Sequence, residues 1–314
     1  MNLSLNRITQ SDLVKILEND YENFEELKII KVFDTLYKGD IEKFYFIFFV
    51  IKKKFERLYK SKHVLKVLIE FYLKKVKNLN LQNMRITASD INYILSWKFS
   101  DLKILNLHNC LLMEMGTKFL SASTLPNLEI LNLYKNKIGD LGLKYLSEGN
   151  YPQLVYLNLS GNIITSEGLK DFCLSQGFPN LSELDLSFNL IGEEGARVLT
   201  CMNCHNLTSL NFSHSNLTDE GLKYLTKGNL YNLLSINLSD NDITSIGGQY
   251  IADSTWLKLE KLNLFGNLLE DTGAQQLWTG NYTGLCYLNL TFNKITKIPD
   301  SIPNKFPYLV EFYY

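Results

Sequence analysis

The stretch "LEILNLYKNKIGDLGLKYL", residues 128–146, places a single asparagine, Asn132, between two leucines. Leu131 and Leu133 lie two residues apart, so their side chains point to one side of an extended strand and Asn132 points to the other. This alternation predicts a strand with one buried face and one exposed face. The asparagine therefore belongs to a surface rather than to a core.

The same pattern recurs at a fixed period along most of the chain. Its first leucine-type position falls at Val76, Leu102, Leu128, Leu154, Leu181, Leu207, Leu233, Leu259 and Leu285. The intervals are 26 residues, except for 27 between Leu154 and Leu181. Because such a period is typical of repeat proteins, residues 76–314 are predicted to form about nine stacked units, with strands about 4.8 Å apart in a parallel sheet.

The repeated unit resembles the leucine-rich repeat, L-x-x-L-x-L-x-x-N-x-L, and its helical part resembles the ribonuclease-inhibitor-like class of that family. The resemblance covers residues 76–314 and implies an α/β leucine-rich-repeat solenoid, or horseshoe, with a parallel concave sheet and convex helices. It also implies that the asparagine late in the motif turns inward and hydrogen-bonds the loop backbone. That residue is present as Asn136, Asn162, Asn189, Asn241, Asn267 and Asn293, and is replaced by Met84, Cys110 and Ser215.

Each strand is followed by a segment that predicts a helix on the outer side. "TSEGLKDF", "TDEGLKYL" and "EDTGAQQL" place Ser166, Asp219 and Asp271 where a helix N-cap is expected. Glycine follows two residues later, and the same column holds glycine at positions 116, 142, 168, 195, 221, 247 and 273. We expect glycine there because the start of each helix presses against its neighbour and leaves little room for a side chain.

Both ends of the chain differ from the repeats. Residues 1–75 contain no repeat, and stretches such as "KHVLKVLIEFYLKKV" predict a helical N-terminal domain that caps the solenoid. At the other end, Pro299 replaces the recurrent glycine, so extended backbone is expected there instead of a helix. The final residues, "LVEFYY", predict the start of a tenth strand. The predicted domains are therefore 1–75, helical, and 76–314, repeats with an atypical C-terminal end.

Three side chains of each strand are expected to face the concave side. The middle one is asparagine in every unit except one, where it is Asp185, and we expect these amides to pair with those of the neighbouring strands. The two flanking positions vary from unit to unit. Variation on a uniform scaffold is where specificity can be encoded.

The variable positions hold two groups of apolar and aromatic residues, separated by a serine-rich stretch. Because interfaces are enriched in aromatic anchors beside hydrogen-bonding groups, these two groups are the predicted partner-binding site. They consist of Ile104, His108, Ile130, Tyr134 and Tyr156, and of Phe265 and Tyr287. Phe188 and Phe292, in the loop that follows the strand, are expected to pack rather than to bind.

The bulk composition narrows the classes of function. A formal net charge of -1 gives no indication of nucleic-acid or membrane binding, and the longest apolar run, residues 44–51, is far shorter than the roughly 20 residues that span a bilayer. Five scattered cysteines predict neither a disulfide framework nor a metal site. Glycosylation sequons on several strands, such as the one at Asn158, would place glycans on the exposed face, so a cytoplasmic protein is expected.

The sequence contains no nucleophile–base pair, phosphate-binding loop or cofactor motif. It therefore predicts a non-enzymatic scaffold that binds a protein partner, acts as a monomer and needs no cofactor. The composition suits a protist or an intracellular bacterium: a protist chain would be a scaffold, and a bacterial one, by analogy with eukaryotic-style repeat proteins, an effector delivered into a host cell.

Other interpretations stay open. Residues 32–58 resemble an F-box, which would make the chain a substrate receptor of a ubiquitin ligase, although the usual Leu-Pro opening is missing. Repeat proteins that activate the Ran GTPase belong to the same repeat class, and Arg85 lies where their loop arginine is expected. "CMNCH", residues 201–205, has the spacing of a haem attachment site but is expected to supply core and loop residues.

Overall fold

The computed structural model describes residues 76–84, 86–96, 98–200, 206–297 and 306–314 of the chain. The chain divides between Val76 and Lys77, and Lys77–Tyr314 is one compact unit. The helices predicted for residues 1–75 lie outside the described residues, so that part of the domain prediction stays a prediction.

The described residues form ten short strands that follow one another in one parallel sheet. The strands are β1 (Asn78–Asn80), β2 (Ile104–Asn106), β3 (Ile130–Asn132), β4 (Tyr156–Asn158), β5 (Glu183–Asp185), β6 (Ser209–Asn211), β7 (Ser235–Asn237), β8 (Lys261–Asn263), β9 (Tyr287–Asn289) and β10 (Glu311–Tyr313). Equivalent residues of successive repeats lie opposite each other, so that Leu131 faces Leu105 on one side and Leu157 on the other. The sheet predicted from the 26-residue period is confirmed, including its tenth strand.

In the described part of the chain, eight helices alternate with the strands, and each packs against the helices of the adjacent repeats. They are α1 (Ala88–Leu95), α2 (Met113–Ser121), α3 (Gly139–Ser147), α4 (Ser166–Leu174), α5 (Gly192–Leu199), α6 (Asp219–Lys227), α7 (Ser245–Ala252) and α8 (Glu270–Leu277). Strand, loop, helix and return segment make one unit of an α/β solenoid, as predicted.

The core lies between the sheet and the helices and is built mainly of the recurrent leucines. Leu131 and Leu133 are completely buried, and the equivalent leucines of the other strands are also buried. Full burial of one such side chain stabilises the fold by about 1.5–3 kcal/mol. Because each repeat buries its leucines against the next one, stability accumulates along the stack.

A second, polar element of the core is the inward asparagine found in six of the loops. The Asn162 side chain is completely buried, and its Nδ2 donates to the carbonyl oxygens of Leu133 (2.9 Å), Leu159 (2.8 Å) and Ser160 (3.1 Å). Its Oδ1 accepts a hydrogen bond from the backbone N–H of Asn136, in the preceding repeat, at 2.8 Å. One amide thus serves the backbone of two repeats, which confirms the role implied by the family resemblance.

Two of the residues that replace this asparagine keep part of its bonding. The hydroxyl of Ser215 donates to the carbonyl oxygens of Leu186 (3.3 Å) and Ser213 (3.1 Å). The thiol of Cys110 donates to the carbonyl oxygen of Leu81 at 3.0 Å. Burial raises the pKa of this thiol to about 11, so it stays protonated and can donate.

The recurrent glycine lies where consecutive helices approach most closely. A Cβ atom placed on Gly221, in α6, would lie 2.9 Å from Cα of Glu193 in α5, and one on Gly273, in α8, would lie 2.9 Å from Cα of Ser245 in α7. Real Cβ atoms do not approach backbone atoms that closely. The expectation that glycine permits close packing of the repeats is confirmed.

The prediction of Ser166, Asp219 and Asp271 as helix N-caps is wrong. Ser166 and Asp219 are the first residues of their helices and follow the extended threonines Thr165 and Thr218, and Asp271 is the second residue of α8. The aspartates instead bind the next repeat. Asp219 accepts hydrogen bonds from the backbone N–H and the hydroxyl of Thr244, and Asp271 accepts the same two bonds from Thr296.

The bonds to Asp271 make its contribution to stability pH-dependent. The backbone N–H of Thr296, at 2.6 Å, and then its hydroxyl, at 2.7 Å, hold the pKa of Asp271 below its ordinary value of 3.8. A carboxyl with a lowered pKa stabilises the fold above the unfolded-state pKa, and this contribution is lost as the pH falls through the folded-state pKa. Asp271→Asn should therefore lower stability at neutral pH, with a difference from wild type that shrinks below about pH 3.8.

This prediction is checked by urea unfolding of both proteins between pH 2 and pH 7. Asp242→Asn, at an exposed loop position, is the matched control and should show no such convergence. A difference between Asp271→Asn and wild type that stays constant over the whole pH range would contradict the role given to the carboxylate.

The single 27-residue interval is accommodated without a shift in the sheet. Leu157 of β4 still faces Leu184 of β5, which is the register found in every other pair of strands. The interval lies between Leu154 and Leu181, and α4 ends at Leu174, so the return segment 175–180 completes the longer unit. Gly177 of this segment accepts a hydrogen bond from the N–H of Tyr151 at 2.9 Å.

Candidate functional site

The first predicted group of binding residues lies together on the exposed side of β2, β3 and β4. Ile104 is paired in register with Ile130, and Ile130 with Tyr156, so these three side chains form a continuous column across three strands. All three are half-buried. They alternate with the buried leucines, as Ile130 does with Leu131, and are therefore available at the surface.

His108 and Tyr134 form a second column at the carboxyl ends of β2 and β3. Their ring centroids are 4.7 Å apart. The Tyr134 ring also lies against Gly161 of the next repeat, where an added Cβ would approach it to 3.1 Å, and the Nζ of Lys135 lies 4.9 Å from its centroid. The first predicted group thus forms two neighbouring columns on one face, separated by Asn106 and Asn132 of the middle column. We call its five side chains the N-terminal patch: Ile104, His108, Ile130, Tyr134 and Tyr156.

The second predicted group does not form one cluster. Phe265 contacts the Phe292 ring edge-on at a centroid distance of 5.1 Å, whereas Tyr287 lies 6.1 Å from Tyr313 of β10. Phe265 and Tyr287 therefore belong to two separate aromatic pairs. Phe265 follows β8 and Tyr287 lies in β9, which are four and five strand spacings from β4. The two residues therefore lie roughly 19 and 24 Å from the nearest strand of the N-terminal patch.

The asparagines of the middle column bind differently from the prediction. The Oδ1 of Asn132 accepts a hydrogen bond from the backbone N–H of Tyr134 at 3.0 Å, two residues further along the same strand. The same bond is formed by Asn80, Asn106, Asn158, Asn211, Asn237, Asn263 and Asn289. The expected pairing between neighbouring amides is therefore not the common feature. The shared requirement is an oxygen that accepts from the N–H at the end of the strand.

The serine-rich stretch between the two groups contributes little exposed surface. Ser160, Ser187, Ser213 and Ser239 are all buried. The hydroxyl groups of Ser160, Ser187 and Ser213 donate to the middle-column oxygen of their own strand. These residues were expected in a column that faces the concave side, but a short hydroxyl side chain folds onto the acceptor beside it and so adds little exposed surface.

The loop residue after each strand has a left-handed backbone in every repeat. The φ angle lies between 47° and 66° at Asn83, Asn109, Lys135, Gly161, Phe188, His214, Asp240, Gly266 and Phe292. This conformation is open to glycine and tolerated by asparagine, and it costs a bulky residue about 1–2 kcal/mol. Phenylalanine is therefore an unfavourable choice at this position.

Phe188 and Phe292 do not gain burial in return for that strain. Their side chains are 54% and 73% exposed. Phe188 stacks on the His214 ring at a centroid distance of 4.2 Å, and the Nε2 of His214 lies 3.0 Å from Oδ2 of Asp240. Both phenylalanines contact a neighbouring ring, as expected of packing in the loop, but more than half of each side chain stays exposed. Phe188 and Phe292 occupy the same position of the repeat as Gly161 and Gly266. Glycine at this position was the signal in the sequence that could have predicted a left-handed, exposed residue there.

Two carboxylates lie beside the N-terminal patch on β5. Glu183 is exposed and is paired in register with Tyr156, and Asp185 is half-buried and is paired with Asn158. Burial raises the pKa of Tyr156, a hydrogen bond from Asn158 opposes the shift, and the carboxylates of Asp185 and Glu183 raise it further. The geometric basis of this charge effect is the register of β4 and β5, which places Tyr156 next to Glu183 on the same face.

Several predictions fall on residues that the structure does not describe. They concern Arg85, the F-box-like residues 32–58, the "CMNCH" segment 201–205 and Pro299. Within the described ranges there is no group of three His, Cys, Asp or Glu side chains placed to hold a metal ion. A helix long and apolar enough to cross a membrane is also missing from those ranges.

Comparison with known proteins identifies the repeated unit. A family model described as "Leucine Rich repeat" matches residues 124–147, 152–173, 179–199, 203–225 and 232–252, and a second, described as "Leucine Rich Repeat", matches residues 284–305. Each of the five matches of the first model contains one strand and most or all of the helix that follows it. The comparison with curated proteins gave no match.

Proposed function

Because this chain is built of leucine-rich repeats, we propose that it is a protein-interaction module whose N-terminal patch binds a partner protein. The observation that carries the proposal is the continuous column of Ile104, Ile130 and Tyr156 across three strands, with the ring pair of His108 and Tyr134 at the carboxyl ends of β2 and β3. Aromatic and large apolar side chains at the centre of a surface are the usual anchors of protein interfaces.

The scaffold holds these anchors in place before a partner arrives. Each anchor alternates with a fully buried leucine, and the end of each strand is fixed by the asparagine bond to the following N–H. Side chains on such a backbone lose little conformational entropy on binding. Leucine-rich repeat proteins are generally scaffolds rather than enzymes, and a rigid display of anchors is sufficient for this role.

We propose that the chain binds this partner as a monomer in the cytoplasm. Asn158 is the acceptor residue of a glycosylation sequon, and its Nδ2 donates to the hydroxyl of Tyr156 at 3.2 Å. A glycan on that nitrogen would cover the N-terminal patch. Each repeat already buries its apolar face against the next one, so a second copy of the chain is not needed to complete the core.

Replacing two anchors should strongly weaken partner binding without unfolding the chain. In Tyr134→Ala/Tyr156→Ala, two half-buried rings are lost from the centre of the patch while the buried leucines stay in place, so binding should weaken at least tenfold. Proximity labelling by the full chain identifies partners, and the dissociation constant of each purified partner is then measured for wild type and variant.

The matched control is Tyr224→Ala/Tyr231→Ala, which removes two exposed tyrosines outside the concave face. The proposal requires partners that the control retains and the patch variant loses. Partners retained equally by both variants would place the binding surface elsewhere on the chain. Circular dichroism of all three proteins excludes loss of the fold as the cause.

A further inference from the structure

We propose that the partner inserts an arginine side chain between Tyr156, Glu183 and Asp185, next to the apolar part of the N-terminal patch. This inference rests on the proposed function and specifies the chemistry of the partner. It requires a negative charge that folding does not need, an aromatic face beside that charge, and exposure of both groups. Each requirement is met by β4 and β5.

The charge of Asp185 is not needed by the fold. Its Oδ1 accepts hydrogen bonds from the backbone N–H of Ser187 at 2.9 Å and from the Ser187 hydroxyl at 2.6 Å. In the adjacent strand β4, the neutral Asn158 accepts the same two bonds from Ser160, at 2.9 and 2.6 Å. Since an amide oxygen performs this structural role equally well, the carboxylate adds only charge.

Glu183 concentrates that charge on one side of the sheet. Glu183 and Asp185 lie two residues apart on β5, so both project to the concave side, with Cα atoms roughly 6.6 Å apart. Two carboxylates at this separation repel each other in the free protein. Among the residues of β2–β9, the other charged side chain is Lys261, three strands away in β8. The concave surface at β5 is therefore locally negative, and it complements a basic group.

The aromatic side chains next to Glu183 and Asp185 favour arginine over lysine as the basic group of the partner. Tyr156 is paired in register with Glu183, and Phe188, three residues after Asp185, is 54% exposed in a left-handed loop position. A guanidinium group is planar, so it can stack on an aromatic ring and donate to a carboxylate at the same time, whereas an ammonium group is a more strongly hydrated point charge. The apolar surface of Ile104 and Ile130 then accommodates an apolar neighbour of the arginine.

The test is selection from a phage-displayed library of random dodecapeptides on the immobilised full chain, in EDTA so that no divalent cation occupies the carboxylates. Wild type should enrich peptides with an arginine next to an apolar residue. Glu183→Gln/Asp185→Asn should still enrich apolar peptides but lose the arginine preference. Glu148→Gln/Asp171→Asn removes the same charge from the helical side and should select like wild type.

A selected peptide then permits a double-mutant cycle in solution. Replacing its arginine by glutamine should weaken binding to wild type at least fivefold, and should change binding to Glu183→Gln/Asp185→Asn less than twofold. Peptides that need Tyr134 and Tyr156 but show no arginine enrichment would overturn this inference and leave the proposed function standing. Equal enrichment of lysine, or an arginine preference that survives in Glu183→Gln/Asp185→Asn, would also overturn it. If wild type selects no peptide that depends on the N-terminal patch, both proposals fail.

Discussion

Asn162→Asp should destabilise the chain by about 3–5 kcal/mol, although the two side chains have nearly the same shape. Nδ2 of Asn162 donates to three carbonyl oxygens, and an ionised carboxylate would place negative charge against all three inside the core. A protonated carboxyl can donate only one of those bonds. The measurement is the free energy of unfolding in urea at neutral pH, and part of the loss should be recovered at lower pH as the new carboxyl takes up a proton.

The matched control for this prediction is Asn237→Asp. Oδ1 of Asn237 accepts the N–H of Ser239 at 3.0 Å on the half-exposed concave side, and a carboxylate oxygen can accept the same bond. We expect a change within about 0.5 kcal/mol, as for an ordinary surface substitution. The structure indicates that the Asn162 side chain must donate hydrogen bonds, whereas that of Asn237 need only accept one. Equal losses of stability in the two variants would contradict this difference.

Gly221→Ala should destabilise the chain by about 2 kcal/mol, against the usual direction of this substitution in a helix. Alanine is favoured over glycine in an isolated helix by about 0.8–1 kcal/mol. Here the added methyl group would lie 2.9 Å from Cα of Glu193 and 2.5 Å from Cδ1 of Leu217. The leucine side chain can move, but the backbone of α5 can move only by opening the contact between two repeats.

Gly284→Ala provides the comparison for that variant. The nearest atom to its added Cβ is the carbonyl oxygen of Leu259, at an ordinary contact distance of 3.8 Å. The measurement is the melting temperature of both variants in thermal unfolding. It should fall for Gly221→Ala and change little for Gly284→Ala. A stabilised Gly221→Ala would mean that α5 and α6 are packed less closely than the structure indicates.

The fold could be predicted because the leucine positions and the interval between repeats can be read from the sequence. The position of each leucine fixes which side chains are buried, and the constant interval fixes the register, so that Leu131 must lie opposite Leu105 and Leu157. The glycine column could be predicted in the same way, since a residue without a side chain at every helix start indicates close approach.

The details of the candidate site were harder to predict because they depend on which of two available hydrogen bonds forms. An amide such as Asn132 could pair with its neighbour or with the N–H two residues later, and the sequence is the same in both cases. Asp185 in the same column indicated the second arrangement. A carboxylate can accept a hydrogen bond from the N–H two residues later, but it cannot donate one to a neighbouring amide. The N-caps of α4 and α6 were misplaced by one residue because threonine, serine and aspartate all suit that position, and α8 begins after Leu269 without a capping side chain.

The exposure of Phe188 and Phe292 was missed for a different reason. An apolar residue such as phenylalanine is usually buried, so burial was expected at both positions. The equivalent position in the other repeats, however, is occupied by Gly, Asn, Lys, His or Asp. A left-handed loop directs its side chain away from the core regardless of residue type. Backbone conformation, rather than hydropathy, decides exposure at such a site.

The longer unit between Leu154 and Leu181 shows how a protein of this type can change in length. The additional residue is absorbed on the return side of the repeat, and the strands on either side keep their alignment. Insertions at that side therefore leave the inner surface unaltered. A short epitope or a fluorophore attached near Ser175 should report on the chain without touching the residues that recognise a partner, and natural length variation at the same place can proceed independently of specificity.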